Sequence, residues 1–168
     1  MAVLQTHPEY GWVSAGMTIF NEQGDVGVRL SKEIPVKTDL ITGPCFAHAP
    51  TMFRADVLRA VHGYTVADYT YKGQDYDLWM RLYAAGFRGY NLQESLYRVL
   101  EDLEAYRRKR FYRLRHGVML QFHGYRAMKV PFWYYPCVLR PLIVGMLPIS
   151  ILKWLQEMRW ARKNRNPG

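Results

Sequence analysis

The chain is poor in cysteine, with only Cys45 and Cys137 among 168 residues. Two cysteines so far apart in sequence do not suggest a disulfide framework or a thiolate metal site. The first residues, Met1 to Glu9, lack the basic segment and apolar run of a secretory signal. We therefore expect a reducing, cytoplasmic setting.

Several motifs that carry chemistry are also missing. The sequence has no glycine-rich phosphate loop, no Ser/His/Asp arrangement and no Cys/His spacing that would bind a metal, and its five histidines are scattered. Internal repeats and low-complexity tracts are absent as well. Apolar residues make up 49% of the chain and charged residues 22%, which is ordinary for a folded domain and argues against disorder.

Acidic residues are almost absent from the second part of the chain. Residues 105–168 carry 14 basic side chains and one acidic side chain, Glu157, whereas residues 1–104 carry 9 basic and 13 acidic ones. A segment with a net charge of +13 repels itself, so we expect it to lie near a polyanion, either a membrane surface or a nucleic acid. The plainer alternative is a solvated basic helix.

The first part of the chain predicts an α/β architecture. Aromatic and β-branched residues over Tyr10–Phe20, a turn, and Val26–Leu30 predict two paired strands. Apolar residues at helical spacing predict helices over Thr51–Val61 and Asp75–Ala85. Phe87–Val99 returns to extended character. This order favours a mixed sheet with flanking helices.

The second part predicts a helical tail. Glu101–Val130 has a helical pattern whose apolar positions include Val118, Phe122 and Tyr125. Pro131–Leu152 is apolar and long enough to span a bilayer, which needs about 20 residues, but four prolines and Arg140 oppose a continuous helix there.

We therefore expect short helices in the membrane interface. Two apolar groups would insert, namely the aromatic run Phe132–Tyr135 and the stripe Ile151, Trp154, Leu155 and Met158. The alternative is that these apolar faces pack on the chain's own core.

The strongest candidate for chemistry is the segment Lys72–Leu82. Asp75 falls in the first turn of the predicted helix, where unpaired N–H groups stabilise an anion, and such a carboxylate can accept a proton from an alcohol. By itself, an acid at this position is an ordinary capping residue. Asp75 and Asp77 also imitate an Asp-x-Asp metal pair, but residues i and i+2 of a helix point in different directions.

Three segments resemble the second half of a family 2 glycosyltransferase of the GT-A type. They are His48–Tyr64 (HAPTMFRADVLRAVHGY), Gln74–Leu82 (QDYDLWMRL) and Asn91–Arg98 (NLQESLYR). The chain departs from that family at Gln74, where Glu is common, and at His62, where Gly is frequent.

The resemblance implies roles for particular residues. It makes Asp75 the general base of an inverting sugar transfer. It also implies that a further set lies at the substrate cleft: His48, Thr51, Arg54, Gln74, Asp77 and Trp79.

By the same resemblance, residues 1–100 form the acceptor half of a GT-A-like domain and residues 101–168 a basic, membrane-associated tail. The nucleotide-binding half and its metal-binding Asp-x-Asp would precede Met1, so we expect this chain alone to be incomplete and poorly active. A divalent metal, Mg²⁺ or Mn²⁺, is expected for the complete enzyme, with its ligands outside this chain.

The expected partners are a nucleotide-diphosphate sugar, a glycan or lipid-linked acceptor, and an anionic membrane at its cytoplasmic face. Two alternatives stay open. One is a non-catalytic membrane-binding or scaffold fragment. The other is a nucleic-acid binder that uses the arginine cluster at 107–115, which the apolar, aromatic segment after it makes less suitable than lipid binding.

Overall fold

The computed structural model describes residues 2–100, 110–140, 142, 143, 151 and 158. Its sheet is built around β1 (Tyr10–Asn21), which pairs with the other three strands. β2 (Gly24–Arg29) and the two-residue β3 (Met52–Phe53) are antiparallel to β1, whereas β4 (Arg88–Leu100) is parallel to it. Parallel pairing requires a crossover connection, and the helices between β1 and β4 provide it. The predicted α/β architecture with a mixed sheet is confirmed.

Helices occupy the connections and the second part of the chain. The α-helices are α1 (Ala2–Thr6), α2 (Ala55–Ala60), α3 (Gln74–Ala84) and α4 (Arg110–Ala127), and 3-10 helices span Lys37–Thr42, Asp68–Thr70 and Phe132–Leu139. The prediction of a helix from Thr51 was wrong at its start. Met52 and Phe53 pair with Val13 and Trp12, so that the sheet uses their backbone groups and the helix begins only after Arg54.

The helix α3 supplies the centre of the hydrophobic core. Leu78, Trp79 and Leu82 are completely buried, as their helical spacing predicted. The helix ends before Gly86, whose φ of +87° lies in the left-handed region that favours glycine, and the Phe87 N–H donates to the Leu82 carbonyl at 3.1 Å. The predicted bounds of this helix, Asp75–Ala85, are therefore correct to within one residue.

The helix α4 packs directly on α3. A Cβ on Gly124 would lie 2.1 Å from the Met80 sulfur, so only glycine allows the two helices to approach this closely. Tyr125 is fully buried and its hydroxyl donates to the Ile41 carbonyl at 2.8 Å. This part of the basic segment therefore packs on the chain's own core.

The segment after α4 is divided between core and solvent. Val138 is buried and Tyr134 and Tyr135 pack against the core, whereas Phe132 and Trp133 are 80% and 63% exposed. The arginine side chains of the 107–115 cluster and the predicted Trp154 and Leu155 lie outside the described part of the chain. Within the residues that the structure describes, no helix combines the length and the apolar character needed to cross a membrane.

Candidate functional site

A cleft of about 520 Å³ opens at the N-terminus of α3. Its floor and walls come from the sheet, from the loop before β3 and from the first turns of α3. The residues that line it are Met17, Arg29, Ser31, Pro44, Phe46, Ala47, His48, Lys72, Gly73, Gln74, Asp75, Tyr76 and Trp79. Four of the seven predicted site residues, His48, Gln74, Asp75 and Trp79, are therefore brought together here.

Asp75 presents its carboxylate to this cleft. It occupies the second position of α3, and its side chain is 56% exposed. It faces the His48 ring, whose Nε2 lies 3.7 Å from Asp75 Oδ1. Within the described residues, the Asp75 side chain makes no hydrogen bond and so caps no backbone group. The carboxylate is free to take a proton from a group bound in the cleft.

His48 is held beside Asp75 by aromatic neighbours. Its Nε2 shares a 2.6 Å hydrogen bond with the Tyr64 hydroxyl. The ring meets Trp79 edge-on at a centroid distance of 5.8 Å, and Phe53 lies 6.2 Å away. Partial burial, together with the negative charge of Asp75, raises the pKa of Tyr64 above its usual range. The tyrosine therefore remains a neutral hydroxyl at physiological pH.

Trp79 is part of the hydrophobic core on which the site rests. It is completely buried and stacks on Phe53 at 5.2 Å, and it also contacts Phe46 and Trp12 at 5.0 and 5.4 Å. It offers no exposed face to a ligand, so its contribution is to fix the loop that carries His48.

Asp77 turns away from the cleft. Its side chain is 5% exposed and accepts a 2.7 Å hydrogen bond from Arg81 Nε, one helical turn further along. The same guanidinium donates to the Val61 and Gly63 carbonyls at 2.6 and 2.7 Å. Asp77 therefore helps to fix the turn after α2. Asp75 and Asp77 thus lie in separate environments, Asp75 in the cleft and Asp77 paired with Arg81.

Thr51 and Arg54 also lie outside the lining of the cleft. The Thr51 hydroxyl donates to the Ala47 carbonyl at 2.6 Å and closes the turn that follows His48. Arg54 donates from Nε to the Tyr10 carbonyl at 2.9 Å and from a terminal nitrogen to the Leu4 carbonyl. The two Arg54 hydrogen bonds connect the N-terminal helix α1 to the sheet.

The two cationic residues of the lining, Arg29 and Lys72, are not among the predicted site residues, and neither is Tyr64, which lies outside the lining and contacts His48. Lys72 is the first residue of the candidate segment Lys72–Leu82 and has a left-handed φ of +58°, but the sequence assigned it no role. Arg29 ends β2 and Tyr64 follows α2. Only the fold brings these two positions near Asp75, although Tyr64 is the last residue of the segment His48–Tyr64 that carries the family resemblance.

A resident metal finds no ligand set in the part of the chain that is described. No group of three or more His, Cys, Asp or Glu side chains converges there. With Asp75 and Asp77 in separate environments, these residues do not fit a divalent ion.

Comparison with known proteins gives one informative match. No protein-family model matches the chain. Over 159 residues it is 35% identical to "Putative glycosyltransferase EpsE" of Bacillus subtilis (strain 168). The chain is glycosyltransferase-like. The match covers 95% of this chain and 57% of EpsE, so the chain spans little more than half of the length of EpsE. Because almost the whole chain is aligned, the similarity to EpsE is not confined to one motif.

Proposed function

We propose that this chain is the acceptor-side part of an inverting, family 2, GT-A-type glycosyltransferase. It transfers a sugar from a nucleotide-diphosphate donor to a glycan or lipid-linked acceptor, as in cell-envelope polysaccharide synthesis. The similarity to EpsE supports sugar transfer, and the mixed sheet with its flanking helices supports the fold assignment. The observation that carries the proposal is the carboxylate of Asp75, which lies open in the cleft without a hydrogen bond to the described residues.

The chemistry assigned to this chain is a single proton transfer. The Asp75 carboxylate accepts the proton of an acceptor hydroxyl while that oxygen attacks the anomeric carbon from the face opposite the leaving group. The bond between the anomeric carbon and the donor's diphosphate oxygen breaks, and the diphosphate leaves with the electron pair. Attack from the opposite face inverts the anomeric configuration.

The charge of the cleft suits such substrates. Arg29 and Lys72 place two cationic side chains in the lining that also contains Asp75. Cations of this kind favour phosphate oxygens. The divalent metal expected with a nucleotide-diphosphate donor, Mg²⁺ or Mn²⁺, has no ligand group among the described residues, and no step assigned to this chain passes through it.

We further propose that the protein works peripherally at the cytoplasmic face of a membrane. Phe132 and Trp133 are largely exposed, and Leu139 beyond them is 51% exposed. The net charge of +13 over residues 105–168 is complementary to an anionic leaflet. Aromatic insertion and electrostatic attraction together suit an interfacial surface.

The transfer reaction is tested in a complete enzyme that contains this chain, with a panel of nucleotide-diphosphate sugars and of glycan and prenyl-phosphate acceptors. Release of nucleoside diphosphate is measured with and without acceptor, and the anomeric configuration of the product is read by proton NMR. Acceptor-dependent release with inversion is the expected result. A product that retains the donor's configuration would contradict the proposed mechanism, because Asp75 would then not be acting in a single displacement.

A further inference from the structure

We propose that Tyr64 and His48 form a positioning pair for Asp75, with Tyr64 orienting the imidazole and the imidazole orienting the carboxylate. The inference rests on the proposed function, because it assigns Asp75 as the base. It adds a residue, Tyr64, that lies outside the motif of α3 and outside the lining of the cleft.

The His48 imidazole is oriented by its hydrogen bonding. Nε2 lies 2.6 Å from the Tyr64 hydroxyl oxygen and 3.7 Å from Asp75 Oδ1. Nδ1 is buried and has no hydrogen-bond partner among the described residues. Tyr64 is therefore the one described side chain that hydrogen-bonds to this ring, and it determines which way Nε2 points.

Aromatic side chains pack around the His48 ring. Trp79 and Tyr64 both meet His48 edge-on, at centroid distances of 5.8 and 5.7 Å. Phe53 closes another side at 6.2 Å. Trp79 is itself immobilised in the core, so the ring has little freedom to turn away from Asp75.

The turn before Tyr64 is fixed by Arg81 and Asp77. Arg81 binds the Val61 and Gly63 carbonyls, and Asp77 holds the Arg81 guanidinium in place. Gly63 immediately precedes Tyr64, and its N–H donates to the Leu58 carbonyl at 2.9 Å. Asp77, through Arg81, thus fixes the turn that leads to Tyr64. Tyr64 in turn contacts His48, which lies beside Asp75.

If Tyr64 positions Asp75 through His48, its loss affects turnover more than substrate binding. A base must hold a defined geometry toward the hydroxyl that it deprotonates, whereas substrate affinity depends on the whole cleft. Loss of the tyrosine hydroxyl should therefore lower kcat and leave KM nearly unchanged. Removal of one neutral hydrogen bond corresponds to a loss of up to about tenfold in kcat.

The experiment compares Tyr64→Phe with Tyr97→Phe in a complete enzyme that contains this chain, under the transfer assay. Tyr97 is a partly exposed tyrosine on β4, outside the cleft. We expect Tyr64→Phe to lower kcat by about three- to tenfold with KM within about twofold, and Tyr97→Phe to change neither. Tyr64→Phe should have no further effect in a His48→Gln background, because the two residues act in series.

A second readout does not depend on activity. The imidazole C2-proton NMR signal of His48 is assigned by its loss in His48→Gln. It should shift in both Tyr64→Phe and Asp75→Asn, and stay in place in Tyr97→Phe. If the His48 signal and kcat are both unchanged in Tyr64→Phe while Asp75→Asn abolishes turnover, the positioning pair is wrong and the base assignment stands. Full turnover by Asp75→Asn would instead overturn the proposed function.

Discussion

Asp75 and Asp77 stand two residues apart in the first turn of α3 and lie in opposite environments. The Asp75 side chain is 56% exposed in the cleft, whereas that of Asp77 is 5% exposed and paired with Arg81. Both are aspartates near a helix N-terminus, so their local chemistry is the same. The difference in surroundings separates a residue suited to catalysis from one suited to structure.

The first prediction concerns the stability of these two positions. Asp77→Asn should lower the free energy of unfolding by about 1–3 kcal/mol, because the Arg81 guanidinium loses a buried charged acceptor. Asp75→Asn should change it by less than about 0.5 kcal/mol. Urea unfolding followed by circular dichroism measures both. Equal losses at the two positions would contradict the assigned difference.

The second prediction concerns the contact between α4 and α3. Gly124→Ala should destabilise the protein by about 1–3 kcal/mol, because the added methyl group overlaps the Met80 side chain. Thermal unfolding is the measurement. Combining it with Met80→Ala should cost less than the sum of the two single changes, since the smaller side chain makes room. Strict additivity would show that the helices do not meet here.

The third prediction concerns alkaline pH. Burial raises the pKa of the Cys45 thiol and of the Tyr125 hydroxyl to about 12, and it also raises the pKa values of Tyr76 and Tyr83. Above about pH 9–10 the unfolded chain releases these protons while the folded chain retains them, so stability falls as pH rises. The Tm should therefore decrease steadily between pH 9 and pH 11. A flat profile there would show that these groups are not buried.

The fourth prediction concerns the exposed aromatic pair Phe132 and Trp133. Replacing both with serine should weaken co-sedimentation with phosphatidylglycerol vesicles by at least about tenfold, because each buried aromatic contributes about 1.5–3 kcal/mol. Leu96→Ser, at a 61% exposed position on β4, is the matched control and should change nothing. Wild-type binding should decrease in salt without disappearing, and it should be weak on neutral phosphatidylcholine vesicles.

Two results would contradict the membrane proposal. One is equal binding by the aromatic variant and the wild type. The other is a shift of RNA or DNA at physiological salt without vesicle binding, which would favour the nucleic-acid alternative.

Much of the fold could be predicted from the sequence because its signals are local. Turn residues after β1 and the apolar stripe of α3 predicted those elements closely. Pairing of Met52 and Phe53 with β1 could not be predicted, because a two-residue strand has no periodicity and exists only through its partner. The sequence also left open whether the aromatic run Phe132–Tyr135 packs on the core or inserts into a membrane.

In the candidate site too, features set by local sequence could be predicted, whereas contacts between distant residues could not. The position of Asp75 in the first turn of α3 followed from the motif, and so did its divergence from Asp77. The structural ties made by Thr51 and Arg54 depend on carbonyls that are distant or outside any motif, so residue type alone could not separate them from ligand contacts. Tyr64 was missed because its link to His48 spans 16 residues and a turn.

The most direct test of the central claim is the turnover of Asp75→Asn beside Asp56→Asn in the transfer assay. Asp56 occupies the second position of α2, as Asp75 does in α3, and it lies outside the cleft, so the pair separates catalysis from helix capping. In a complete enzyme that contains this chain, we expect Asp75→Asn to lower kcat by about 10²–10⁴-fold and Asp56→Asn to leave it unchanged. Small and equal effects of the two substitutions would show that Asp75 is only a helix-terminal acid and not the base.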